Sequence, residues 1–158
     1  MSVAFRATIY VALGLPVLVG VIPALIADLV PGPLFWLGLP IALVGLAIYL
    51  WTIWVFVTVG RGTPVPLDPP RVLVVHGLYR VIRNPMAFGL ILTLFGEAIA
   101  FGSTPILIYA AVSFLLIHLF IVLVEEPGLK RRFGASYEAY CRSVPRWLPR
   151  RSRNGPDQ

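Results

Sequence analysis

Long uncharged stretches constrain this chain more than any other feature. No charged residue occurs from Ala7 to Ala27 or from Leu29 to Gly60, and between Arg83 and Glu125 only Glu97 interrupts the apolar run. A helix crossing a bilayer needs about 20 such residues, so each of the first two stretches suits one span. The third, at roughly 1.5 Å per helical residue, is long enough to cross a core of about 30 Å twice. Phe101 to Pro105, FGSTP, supplies the turn. The expectation is an all-α integral membrane protein with about four transmembrane helices, the last two a hairpin, and a C-terminal amphipathic segment on the cytoplasmic side. A composition of 58% hydrophobic and 13% charged residues, with mean hydropathy +0.87, excludes an ordinary soluble globule.

Basic residues set the expected orientation, because Lys and Arg beside helix ends stay on the cytoplasmic side. Arg6 precedes the first span, Arg61, Arg71, Arg80 and Arg83 occupy the second connection, and Lys130, Arg131, Arg132, Arg142, Arg146, Arg150, Arg151 and Arg153 follow the last span. The other two connections carry none. Both termini are therefore expected in the cytoplasm, with much of the +6 net charge setting topology and holding the tail on anionic lipid. This disfavours nucleic acid as a partner. The first apolar stretch exceeds a usual signal-peptide core and lacks a small-x-small cleavage site, so it is expected to stay attached. One cysteine, Cys141, excludes an internal disulfide or a thiolate metal cluster and reads as an ordinary cytosolic thiol.

The expected organisation is one domain over 1–158: two spans in 1–60, a connection in 61–84, a hairpin in 85–125 and a tail in 126–158. Pro16 and Pro23 loosen the first span, and Trp36, Trp51 and Trp54 fall where interfacial aromatic belts lie in a second span from Leu34 to Val59. GRGTPVPLDPP, from Gly60 to Pro70, is extended, because proline fixes its own φ and biases the residue before it. Small residues in the first two spans fit internal packing or a dimer equally well.

The polarity concentrates at residues 77 to 89, GLYRVIRNPMAFG. After a turn at His76 and Gly77, Asn84 is a good N-cap and Pro85 a good first helical residue. The exposed backbone N–H groups of that helix start, beside Arg80 and Arg83, fit an anion site or, equally, a purely topological role. The fourth span, about Thr104 to Val124, returns to the same membrane face and ends in Glu125 and Glu126. Paired carboxylates at a membrane boundary are costly unless they are partnered or used. His118, seven residues before Glu125, is expected on its face. Beyond Pro127, the helical recurrence of Leu129, Phe133, Tyr137, Tyr140 and Val144 describes an interfacial segment broken at Gly134, either anchored in the membrane or folded back over the polar residues. Glu97 lies about 20 Å along its helix from Arg83 and outside this group.

These residues resemble the integral-membrane methyltransferase family that includes isoprenylcysteine carboxyl methyltransferases and phospholipid N-methyltransferases. Gly77, Tyr79, Arg80, Arg83, Pro85 and Gly89 match its first motif, and Glu125, Glu126, Leu129, Phe133, Gly134, Tyr137, Tyr140, Pro145 and Arg146 its second. Asn84 stands where the family histidine is usual, and Ala87 and Phe88 replace a second tyrosine. The resemblance implies S-adenosyl-L-methionine as cofactor and a lipid-like or prenylated acceptor, in a multi-pass protein of the bacterial inner membrane. It also implies catalytic roles for Arg83, Glu125 and Glu126. Cofactor contacts are implied at His76, Gly77, Tyr79, Arg80, Asn84, Pro85, Gly89, His118, Tyr137, Tyr140 and Arg146, with no metal. An NADPH-dependent sterol-type reductase and a non-enzymatic lipid-binding adaptor are the alternatives.

Overall fold

The computed structural model describes residues 14–58 and 73–149. The start of the first span, Arg6, Arg61, Arg71, the proline-rich connection and Arg150, Arg151 and Arg153 lie outside the described residues. Every regular element among those described is helical. Helix α1 runs Gly14–Ile26, with a π-helical turn at Val17–Val21. Helix α2 spans Phe35–Thr58, and a 3-10 turn at Gly77–Arg80 precedes α3, Pro85–Phe101. Helix α4 is continuous over Thr104–Phe133, and α5 is Ala135–Ser143.

Two of these helices, α2 and α4, are long and apolar enough to cross a membrane. The shorter apolar helices are α1 and α3. Leu25, Trp36, Leu116 and Leu123 are each more than half exposed on the outside of the molecule. An apolar exterior of this kind belongs against lipid, because water would leave it uncovered. The chain is a membrane-associated helical protein.

Helices α2 and α3 hold the molecule together through small residues. With no hydrophobic force between helices in lipid, close van der Waals approach must drive their association. Gly38 faces Gly96 and Ala100, and Gly45 faces Gly89 and Thr93, so the two helices run antiparallel. A Cβ added at Gly38 would sit 2.2 Å from the Ala100 nitrogen, and one at Gly96 would sit 2.3 Å from the Ala42 nitrogen. Glycine is required on both sides. The Thr93 hydroxyl donates within α3 to the Gly89 carbonyl (2.9 Å) and lies 3.4 Å from the Ala42 carbonyl of α2. In the second span, the small residues that fitted either packing or a dimer serve packing.

The expected turn closes α3. Gly102 takes the left-handed conformation (φ 59°), and the Ser103 hydroxyl accepts from the Ile106 amide to open α4. Helix α4 then departs from the expected end near Val124 and continues to Phe133. The reason lies in a π-helical turn at Ile121–Glu125, where the Glu126 amide bonds back to the Ile121 carbonyl. This widened turn accommodates the ring of Pro127, which would otherwise break the helix. The expected boundary between hairpin and tail at 125/126 thus falls inside one helix. Gly134, with φ 53°, makes the break to α5.

Candidate functional site

Four segments meet where α3 begins: the Gly77–Arg80 turn, the Arg83–Asn84 link, the far end of α4 and the chain from α5 to Trp147. The C-terminal segment is clamped by backbone. The Arg83 amide donates to the Pro145 carbonyl (2.8 Å), and Asn84 Nδ2 donates to the Arg146 carbonyl (3.3 Å). Asn84 was expected to cap α3, but its side chain makes no capping bond. Its amide is committed to the C-terminal segment instead, while Pro85 opens the helix as expected.

Glu126 is the centre of the charge arrangement. Arg146 grips it with two hydrogen bonds of 2.8 Å, from Nε to Oε1 and from Nη2 to Oε2. Arg83 Nη1 lies 3.1 Å from Oε1 and also donates to Cys141 Sγ (2.8 Å). The side chains of Arg83 and Glu126 are 13% and 18% exposed, so solvent screening is weak here. Two guanidiniums against one carboxylate leave an excess of one positive charge. Arg83 Nε is buried and has no hydrogen-bond partner. An unsatisfied buried donor beside spare positive charge suits an anionic ligand group.

Glu125 and Glu126, paired in the sequence-based expectation, take different partners. Glu126 turns into the cluster, whereas Glu125 makes none of these contacts and its charge acts on the buried Tyr79 instead. The expectation that His118 shares a face with Glu125 also fails. A π-helical turn holds more residues than an ordinary one, so the residue two turns beyond His118 becomes Glu126. His118 lies close enough to Glu126 for a charge on the imidazole to act on the carboxylate.

Tyr137 and Tyr140 close the group from α5. They pack with Val144 in a buried cluster that Leu73, Leu129, Phe133 and Cys141 extend. The aromatic stripe thus folds back over the polar residues instead of anchoring α5 in lipid. The Tyr140 hydroxyl donates to the Tyr79 carbonyl (2.6 Å), tying α5 to the turn before α3. Burial pushes the phenols of Tyr79, Tyr137 and Tyr140 well above the usual tyrosine range, with the Glu125 charge adding at Tyr79 and the Glu126 charge at Tyr137. All three stay neutral and serve as donors or flat surfaces, not bases. The Glu126 hydrogen bond raises Arg146, which stays cationic. Tyr140→Phe should cost about 1–2 kcal/mol, because the buried Tyr79 carbonyl loses its donor. Thermal unfolding in detergent measures that loss, and an unchanged midpoint would show that the contact carries no stability.

Other residues named from sequence lie outside the charge cluster. His76 is exposed, and its carbonyl accepts from the Tyr79 amide. Arg80 is exposed, with Nε 3.5 Å from the Val75 carbonyl. Gly77 has φ 55° and packs under Trp51, where a Cβ would lie 2.1 Å from the ring. Gly89 is part of the α2–α3 contact. Conversely, sequence reasoning read Cys141 as an ordinary thiol, although it accepts from Arg83, and passed over Trp147. Trp147 Nε1 donates to His118 Nδ1 (3.1 Å), and both rings lie near Phe114. The i, i+4 spacing of Phe114 and His118 was a readable signal for that trio. The contact with Trp147 was not, since it spans 29 residues.

An all-helical membrane protein whose C-terminal segment roofs a charged cluster at the start of one helix and the end of the next is the class that fold and site define. A family model described as phospholipid methyltransferase matches residues 33–136, and the chain belongs to that family. Methanethiol S-methyltransferase 2 of Bradyrhizobium diazoefficiens is 35% identical over 77 residues, covering 46% of this chain and 27% of that relative. The match therefore spans well under half the length of the relative.

Proposed function

We propose that this chain transfers a methyl group from S-adenosylmethionine to an amphiphilic acceptor at the cytoplasmic boundary of the bacterial inner membrane. In this reading the four apolar helices all span, both termini are cytoplasmic, and 1–158 works as one domain. The observation that carries it is the excess positive charge of Arg83 and Arg146 over Glu126, with Arg83 Nε buried and unpaired.

The residues present fit the donor's chemistry. Arg83, through its free Nε, and Arg146 would hold the carboxylate. Glu126 would face the amino group and sulfonium, and Tyr137 or Tyr140 would flank the adenine. The donor, when bound, would supply an activated methyl group, so the protein must chiefly align the partners and exclude water. Alignment alone supplies about 7–11 kcal/mol of a barrier. The clamped C-terminal segment provides the alignment, and the roof of Tyr137, Tyr140 and Val144 excludes water.

Membership of the phospholipid methyltransferase family supports a lipid-like acceptor. A small apolar thiol is the second reading, favoured by likeness to a relative named for methanethiol. Calorimetric titration of detergent-purified protein with S-adenosylhomocysteine should give saturable binding that NADPH does not reproduce. Arg83→Ala should weaken it about tenfold, the effect of losing one net charge-assisted hydrogen bond. Binding of NADPH instead would favour a reductase, and binding of neither would leave the cluster without its ligand.

A further inference from the structure

His118 is half-buried on α4, two turns before Glu126, and its ring packs beside both Phe114 and Trp147, with each centroid 6.0 Å away. Its Nδ1 lies 3.1 Å from the indole nitrogen of Trp147, the residue following Arg146. An indole N–H can only donate. Nδ1 must therefore accept, and a neutral imidazole accepting at Nδ1 carries its proton on Nε2. Nε2 itself bonds to none of the described residues.

We propose that Trp147 is a positioning residue that fixes His118 as the Nε2–H tautomer, so that His118 offers the methyl acceptor a hydrogen-bond donor and not a base. The proposal rests on the methyl-transfer reading for the word acceptor, while the tautomer itself rests on the contact alone. The two ring nitrogens of His118 then divide the work, with Nδ1 holding the C-terminal segment against α4 and Nε2–H facing the ligand. The segment carrying Trp147 is also the one that Glu126 holds through Arg146 and that Arg83 and Asn84 hold through backbone carbonyls. The tautomer is thus set by the same closure that completes the charge cluster.

The consequence is one of specificity. An Nε2–H donor pairs with an electron-rich atom, such as a thiolate sulfur or a carboxylate oxygen. An ammonium group, which can only donate, finds no partner there and cannot pass its proton to this imidazole while Trp147 occupies Nδ1. The apolar faces of Phe114 and Trp147 beside it suit the hydrocarbon part of such an acceptor. The acceptor class favoured is an apolar thiol or acid that arrives ionised.

Long-range nitrogen-15 spectra of the two imidazoles in the untagged, detergent-purified protein test the tautomer, with the His118→Gln variant assigning the signals by their loss. In the unmodified protein at a pH where His118 is neutral, its proton should reside on Nε2, with the two nitrogen shifts widely split. In Trp147→Phe, which keeps an aromatic ring but loses the N–H, the shifts should move toward their average. A proton on Nδ1, an even mixture in the unmodified protein, or an unchanged spectrum in Trp147→Phe would overturn the assignment. The first two outcomes do not depend on the folding of Trp147→Phe. In assays with a thiol acceptor, Trp147→Phe should raise the acceptor KM about tenfold, one hydrogen bond's worth, with kcat within about twofold. A chain that fixes the Nε2–H tautomer but transfers no methyl group would refute the methyl-transfer reading and leave the positioning of His118 standing.

Discussion

Glu126→Gln is expected to weaken S-adenosylhomocysteine binding about 100-fold, equivalent to roughly 2.7 kcal/mol. A neutral amide cannot accept two hydrogen bonds from Arg146 and a contact from Arg83 while presenting its own N–H groups to both. It leaves two guanidiniums facing each other in a site where their side chains are only 13% and 31% exposed. The ligand's amino group also loses its proposed carboxylate. Breaking such a pair costs about 3–5 kcal/mol when fully buried, and partial exposure brings the stability loss nearer 2 kcal/mol. Glu125→Gln is the comparison, because that carboxylate pairs with neither Arg83 nor Arg146 and its loss should leave affinity within about twofold of the unmodified protein. Calorimetric titration of both variants separates the two carboxylates. Equal losses, or a loss only in Glu125→Gln, would show that the wrong glutamate has been placed in the site.

Gly96→Val should abolish recovery of folded protein, or destabilise it by more than about 3 kcal/mol, the upper end of ordinary overpacking. The new Cβ would lie 2.3 Å from the Ala42 backbone nitrogen, and a backbone cannot move aside as a flexible side chain can. Relief requires separating α2 from α3 along their length, which also displaces the start of α3 and with it Arg83. Gly128→Ala gives the contrast, since a Cβ there meets nothing within 4 Å and the position is helical. That change should be neutral or stabilising by about 0.4–1 kcal/mol through the unfolded chain. Detergent thermal melts of both variants decide the matter. A Gly96→Val protein melting with the unmodified chain would mean that α2 and α3 are not packed backbone to backbone.

The meeting of Arg83 with a carboxylate from the end of the next helix was legible because a hairpin of two antiparallel helices has only one way to return. Its residues 85–101 and 104–133 are joined by a turn of two, and the observed separation of Arg83 from Glu126 is 3.1 Å. Which glutamate would answer was not legible. Adjacent residues on a helix point about 100° apart, so one wider turn is enough to exchange them, and Pro127 by itself does not tell that the helix continues through such a turn instead of ending. Asn84 illustrates the same limit. Its sequence context suits a cap, and a carbonyl 62 residues away takes its amide instead.

By itself the sequence determined the apolar helices, the turn at FGSTP, the break at Gly134 and the polar residues gathered at the start of α3. These follow from local composition and backbone preference, which act within a few residues. Only the tertiary structure decided that Glu126 and not Glu125 joins the arginines, that Cys141 touches Arg83, that α5 roofs the cluster instead of lying in lipid, and that Trp147 reaches His118. Each of these depends on helical phase summed over a whole element, or on a contact between distant segments. In both cases the deciding interaction is set by packing, which no short stretch of the chain contains.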